Sequence, residues 1–279
     1  MLCVSSVIMA FFSVINGVPA PRGRPARSVA CGSERAPVVG PVGRSLGPVA
    51  ALAVRLAAVA AVLGTATLVR HRYLRWGAAD AEQDQALPGD ELLHTVDLTA
   101  TRAITINTAA DDIWPWLAQL GQGRGGFYSY DWLENCVAHI DIHNADRIVP
   151  EWQHVTVGAD VALAPQVKLK VVVLEPGRAL VLRGSVPIGR AAPPYDFTWA
   201  FVLLPQPGGA TRLVVRERYE YSRLWAALIV QPVELVSCLM TRKMLRGIKT
   251  RAENWPPTAR FDSRLDTPTA GSTTQGCSG

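Results

Sequence analysis

VELVSCLMTRKMLRGIKTRAE, Val233 to Glu253, is the stretch whose reading decides the fold. At about 3.6 residues per turn, Val236, Met240, Met244 and Ile248 return to one face, while Arg242, Arg246, Lys249 and Glu253 occupy the opposite one. This is a long amphipathic helix with one face meant for burial. Gly247 lies on that apolar face, where the missing side chain allows close approach to a sheet. Pro256 and Pro257 stop the helix after Trp255, and Thr258 to Gly279 is a polar tail with no core-forming pattern.

Upstream of the helix come strand signals. Alternating or continuous apolar runs predict strands over Val161–Ala164, Val167–Leu174, Ala179–Arg183, Phe197–Leu204 and Arg212–Tyr219, preceded by Arg102–Thr108, RAITINT. Glu175-Pro176-Gly177-Arg178 and Pro205-Gln206-Pro207-Gly208-Gly209 are turn sequences, so the connections are short and antiparallel. Between the first strand and the rest, Asp111 and Asp112 precede Ile-Trp-Pro-Trp-Leu, a helix start with Pro115 in its first turn, and Tyr130–Ala138 forms a second short helix. Leu224–Val230, LWAALIV, serves either as the first turns of the terminal helix or as a membrane-touching or gating segment.

Hydrophobic periodicity sufficient for a core runs only from Leu92 to Asn254, so the 279 residues hold one domain with appendages. Val49–Val69, VAALAVRLAAVAAVLGTATLV, has the length and apolarity of a single membrane-spanning helix, its one charge being Arg55. Residues 70–91 read as a basic juxtamembrane cluster (Arg70, His71, Arg72, Arg75) and an acidic linker, and the cluster favours a cytoplasmic domain. Residues 1–48, rich in Pro, Arg and Gly after an apolar start, read as a disordered or mis-called extension.

The net charge of +5 is not spread over the domain. Arg22, Arg24, Arg27, Arg35 and Arg44 against Glu34 place +4 in residues 1–48. Arg55, Arg70, Arg72 and Arg75 add another +4, which leaves −3 on everything that follows. A domain of that sign is a poor binder of a phosphate backbone, and no nucleic-acid partner is expected. Five widely spaced cysteines without a CxxC pairing argue against a disulfide framework or a cysteine zinc site.

GQGRGGFYSYDWLENCVAHIDIHNADRIVPEW, Gly121 to Trp152, concentrates glycine, aromatic and ionisable residues. Gly121, Gly123 and Gly126 satisfy G-x-G-x-x-G, but a helix-like segment precedes them where the dinucleotide fingerprint needs a strand, so they read as a turn or a mobile lip. Tyr128, Tyr130 and Trp132 with Asp131 and Glu134 form either an amphipathic rim or ordinary core. Asp131 and Glu134, three apart, suit a carboxylate pair, although Asp131 equally suits a helix cap. His139, Asp141, His143 and Asp146 are the one metal-like cluster, without HExxH, and no metal or cofactor is expected; Asp146 pairs with Arg147.

GQGRGGFYSYDWLEN, IHNADRIVPEW, Glu175-Pro176-Gly177-Arg178 and MLRGIKTRAE together resemble the START-like SRPBCC superfamily, in particular polyketide cyclase/dehydrase-type proteins of actinobacteria, over Trp76 to Glu253. The resemblance implies an α+β helix-grip fold: a curved antiparallel sheet around the long C-terminal helix, with a ligand cavity between them. Behind the N-terminal anchor this gives a START-like domain over 92–255 and a disordered tail over 256–279. The function implied is the binding of a lipid, polyketide or similar apolar small molecule, with Tyr128, Tyr130, Asp131, Glu134, His143 and Trp152 as ligand-binding residues. Two other classes stay open: a cyclase or dehydratase acting on an enolisable substrate, and a structural membrane protein with a filled core. No catalytic set is diagnostic.

Overall fold

The computed structural model describes residues 48–130, 135, 143–165, 167–185 and 193–255. The first helix, α1 (Pro48–Leu74), is followed by a short α2 (Asp80–Asp84) and a single 3-10 turn over Asp90–Leu92. Strand β1 (Leu98–Ile106) leads into α3 (Ala110–Ala118). Strands β2 (Asp160–Ala164), β3 (Val167–Glu175), β4 (Ala179–Gly184), β5 (Tyr195–Pro205) and β6 (Thr211–Tyr221) then run to α4 (Ala226–Asn254). The strands form one antiparallel sheet in the order β1-β6-β5-β4-β3-β2, so the first strand closes beside the last. Register shifts in β2 and β3 bend that edge of the sheet.

Period-two alternation sorts the strand residues onto two faces. Leu98, Ala100 and Ile106 of β1, Phe197 and Phe201 of β5, and Leu213, Val215 and Tyr219 of β6 point to the side covered by α4, where Met244, Leu245 and Ile248 meet them. Trp116, buried in α3, joins the same core, edge-on to Tyr128 and Trp255 at centroid distances of 5.8 and 5.5 Å. The arrangement is α+β, with a long C-terminal helix packed on a six-stranded antiparallel sheet, consistent with a helix grip.

The other face of the sheet is also covered. Residues 78–93, expected as a linker, lie across it: Leu87 is buried among Ala103, Val181, Val202 and Val214, with Leu92 against them. Three arginines of β6 hold this strap. Arg212 pairs with Glu82 at 2.6 Å, Arg216 donates to the carbonyls of Glu82, Gln83 and Gln85 and pairs with Asp90, and Arg218 pairs with Asp90 at 3.4 Å. A composition that reads as solvated acidic chain is therefore neutralised by the outward-facing arginines of one strand.

The six strands fall where expected, each within a few residues of its anticipated ends; β1 begins earlier, at Leu98, because its first half is threonine-rich and carries little apolar signal. Pro115 sits in the second turn of α3 and not the first, since the helix begins at Ala110. On α4, Met244, Gly247 and Ile248 are buried as the periodicity requires, whereas Met240 is only half-buried. Gly247 does permit a close approach, but to the backbone of Tyr128 and not to the sheet. The short helix expected over Tyr130–Ala138 falls almost entirely outside the described residues, as do the N-terminal extension and the tail.

Helix α1 is exposed along its length. Leu52–Leu74 is apolar and long enough to cross a membrane; an 18-residue window within it has a mean hydropathy of 2.0 and no residue buried against the domain. Its last turn is different: Leu74 is buried, and the Trp76 carbonyl just beyond accepts the Ala103 amide at the edge of β1. The apolar helix thus leaves the domain from the middle of an edge strand.

Candidate functional site

The most unusual chemistry in the molecule lies under the first half of α4. Arg102 of β1 pairs across the sheet with Val215, while Glu217 of β6 pairs with Ala100, so Arg102 and Glu217 are diagonal neighbours on the helix-facing side. From the helix, Glu234, Ser237 and Thr241 recur at i, i+3 and i+7 and descend onto the same spot. Arg102 is fully buried and donates Nη1 to Glu217 and Nη2 to Glu234, both at 2.9 Å, and Nε to the Tyr73 carbonyl at 3.2 Å. One guanidinium therefore bridges a sheet carboxyl and a helix carboxyl in a dry interior.

The two carboxyls are not equivalent. Glu217 is well satisfied, accepting from Ser237 at 2.9 and 3.0 Å, from Thr241 at 3.3 Å and from the Tyr219 hydroxyl at 3.3 Å as well as from Arg102. Glu234 accepts one bond from Arg102 at 2.9 Å, and its Oε1 is buried beside Glu217 and Tyr219 without a hydrogen bond of good geometry. Burial, and then the nearby Glu217 carboxylate, pushes the Glu234 carboxyl up to about 8 against the opposing pull of Arg102. The raised value favours the protonated form of Glu234. Glu217 and Glu234 in turn outweigh the cost of burying Arg102 and keep it charged.

Aromatic residues surround this acid. Tyr195 and Tyr221 face each other across β5 and β6, Phe197 stacks on Tyr219 at 5.3 Å, and Trp199 stands opposite Glu217. Burial, with Glu234 beside it, raises the Tyr195 hydroxyl to about 12; burial and the Asp97 carboxylate do the same to Tyr221. The Tyr221 hydroxyl and the Trp199 Nε1 are, like Glu234 Oε1, buried without partners. These three atoms lie on the helix-facing side of two adjacent strands and the facing helix, with Trp116 Nε1 of α3 a fourth in the same core, although buried polar groups are normally paired. Together they offer donors and acceptors to a small molecule with a polar end and an apolar body.

Of the residues anticipated from sequence, Tyr128, Tyr130, His143 and Trp152 are described, and they stand in different surroundings. Tyr128 is buried at a backbone φ of 55°; its hydroxyl donates to the Trp116 carbonyl at 3.1 Å and accepts from Gln119 at 3.0 Å, and Arg251 lies 4.9 Å from its ring centroid. It is a packed and hydrogen-bonded core residue, not a rim. Tyr130 is at the surface with the Lys243 ammonium 5.8 Å from its ring centre, His143 is exposed, and Trp152 is half-buried in a 3-10 turn, its carbonyl accepting from Arg124. Asp131, Glu134 and Trp132 lie outside the described residues, as do His139 and Asp141. Asp146 pairs with Arg251 at 2.7 Å and not with its neighbour Arg147. The glycine motif is a tight turn: Gly121 and Gly126 exchange both backbone hydrogen bonds at 3.0 Å.

Arg102, Glu217 and Glu234 escaped the sequence reading, yet each carries a signal. Arg102 precedes Ile104 and Ile106 at inward spacing, Glu217 falls between Val215 and Tyr219, and Glu234 lies four residues from both Val230 and Cys238 on one helix face. A charge in an apolar register of a strand or helix is costly and marks a paired or functional group.

No family model matches the chain, and no curated protein matches it. Several solved structures have a similar arrangement. A Mesorhizobium loti protein is 13% identical with a TM-score of 0.37, covering 57% of this chain and 99% of its own. A hypothetical protein from Helicobacter pylori is 11% identical with a TM-score of 0.37, covering 60% and 91%. A truncated norcoclaurine synthase from Thalictrum flavum is 14% identical with a TM-score of 0.34, covering 57% and 96%. Likenesses of this degree say nothing about the ligand or chemistry of this chain.

Proposed function

We propose that this is a single-pass membrane protein of START-like type whose domain, on the cytoplasmic side, binds an apolar small molecule between the sheet and the first half of α4. The observation that carries the reading is the set of unpartnered buried atoms, Glu234 Oε1, Tyr221 Oη and Trp199 Nε1, gathered around an acid held neutral by burial. Binding sites of this kind are mainly apolar, with a few polar groups fixing orientation. The charge balance defines the class of ligand further. The one buried guanidinium is already shared between two carboxyls, which leaves no free cation for a carboxylate or phosphate and suits a neutral carbonyl or hydroxyl, as on a lipid alcohol, a ketone or a polyketide-like ring system. Tyr130, His143 and Trp152, with Asp131 and Glu134, are proposed as an outer rim, supported by Tyr128 in the core beneath.

The test is a comparison of three fluorescent polyene probes of equal length ending in a ketone, an alcohol and a carboxylate, titrated into the full chain in detergent. The ketone and alcohol should bind several-fold more tightly than the carboxylate at pH 7. Preference for the carboxylate, or no saturable binding of any, overturns the assignment.

A protonated carboxyl beside a tyrosine also favours a second reading, in which Glu234 donates a proton to the carbonyl of an enolisable substrate while solvent water takes the proton from the neighbouring carbon, giving the enol. Deuterium exchange next to the ketone of the same probe, abolished in Glu234→Gln with binding retained, would select it. Absence of exchange leaves a carrier.

A further inference from the structure

Around the beginning of α4 lies a surface that the buried site does not explain. Leu224 is 98% exposed, Leu228 79%, and Trp225, Leu235 and Leu239 between 45% and 47%. Leu228, Gln231, Leu235 and Leu239 are spaced at i, i+3, i+7 and i+11 and so share one helix face. A contiguous apolar face of this kind marks an interaction site.

Two contacts orient it relative to α1. Gln231 Oε1 accepts from Arg70 Nε at 3.1 Å, and further along the same face Arg242 and Arg246 stand 5.0 and 5.5 Å from the ring centre of Trp76. As α1 runs outward from Arg70 to Trp76, its contacts on α4 advance from Gln231 to Arg246. The two helices therefore run in the same sense, with the start of α4 on the side of the apolar span. At about 1.5 Å rise per residue, Leu228 lies about 4–5 Å nearer the span than Gln231, and Leu224 and Trp225 further still. Leu228 and Leu224 are the most exposed of these side chains. Arg70, at the level of Gln231, and Arg72 after it on α1 form a basic collar on the domain side of this segment, suited to anionic headgroups.

We infer that Leu224, Trp225 and Leu228, at the start of α4, dip into the bilayer surface beside α1, so that the Tyr195–Tyr221 end of the ligand site opens toward lipid. This rests on the reading of α1 as a membrane span. Continuity with α1 and the basic collar select a phospholipid bilayer over a protein partner. The end of the sheet bearing Tyr195 and Tyr221 is the one next to this segment, since the Ser222 amide donates to the Pro194 carbonyl at 2.8 Å; the opposite end carries the β3–β4 and β5–β6 turns.

The test places the photo-crosslinker benzoylphenylalanine singly at Leu228, Val62 and Val157 in the full chain, reconstituted in vesicles of phosphatidylcholine with a minor share of phosphatidylglycerol. Val62 lies within α1, and Val157 is an exposed residue of the domain. Lipid adducts are expected at 62 and 228, several-fold above those at 157. Adducts at 62 with only the background of 157 at 228 overturn the inference while leaving the membrane span intact. Adducts at 228 without any at 62 uphold the docking face and reject the span, and background at both rejects the two together. Protein instead of lipid adducts at 228 overturn it in favour of a partner chain.

Discussion

Glu234 is a carboxylic acid whose burial has outrun its pairing: one oxygen accepts from Arg102, and the other is buried beside Glu217 and Tyr219 without a hydrogen bond of good geometry. The sign of its linkage follows directly. The unfolded chain releases this proton near 4.5, whereas the folded protein holds it up to about 8, so its contribution to stability is full below about 4.5 and is lost as the pH rises through 8. Thermal unfolding in detergent should therefore fall between pH 5 and 8 by an amount equivalent to several kcal/mol, and Glu234→Gln, which stays neutral, should flatten that slope. A slope unchanged by the substitution would mean that another group carries it. Arg102 is the converse case. Arg102→Met leaves the carboxyls of Glu217 and Glu234 buried together without their cation and should cost about 3–5 kcal/mol, read as a loss of unfolding temperature that deepens as the pH rises.

At the level of the element, α4 does two different jobs along its length. Its second half is an ordinary packed helix, in which Met244, Gly247 and Ile248 are buried. There Gly247→Ala should destabilise, even though alanine is favoured over glycine in a helix by about 1 kcal/mol. A Cβ at that position would lie 2.9 Å from the Tyr128 Cβ and closer still to its carbonyl oxygen, so a net loss of about 1–3 kcal/mol is expected by calorimetry. Met244→Asp should cost several kcal/mol and Met240→Asp distinctly less, because only the former is buried. The helix was legible in sequence through this half, and so were the strands, because burial against a core imposes a period that composition reveals. The first half was not. Its inward face reads Ala226, Val230, Glu234, Cys238 and Thr241, and a glutamate in that series breaks the pattern unless Arg102 on β1 is known to lie opposite. The single charge in an apolar register is visible locally, but its partner 132 residues away is not. The strap over residues 78–93 was hidden for the same reason, its acids being answered by Arg212, Arg216 and Arg218 on β6.

Seen whole, the molecule places a sheet between two coverings of opposite character. One face is sealed by the strap and its arginines, and the other is closed by α4 over a core that turns polar toward one end. That end is adjacent to α1, to the exposed leucines of α4 and to the aromatic pair Tyr195 and Tyr221. In the Gly121–Trp152 segment, rich in the residue types of an active site, the described Tyr128 and Asn144 are spent on holding local turns in place, Tyr128 with Gln119 and Asn144 with the Tyr128 amide and the Ser129 carbonyl. The proposed account makes the sheet and α4 the walls of a binding site and the membrane its source of ligand. The central claim is tested most directly by native mass spectrometry of the full chain extracted from membranes in mild detergent. The wild type should carry a bound neutral small molecule, and the double variant Trp199→Phe, Tyr221→Phe, which removes the indole N–H and the hydroxyl but keeps both side chains aromatic, should lose most of it while still unfolding cooperatively. A wild-type chain that carries no such mass and takes up none of the ketone or alcohol probes would contradict the account and leave the core filled.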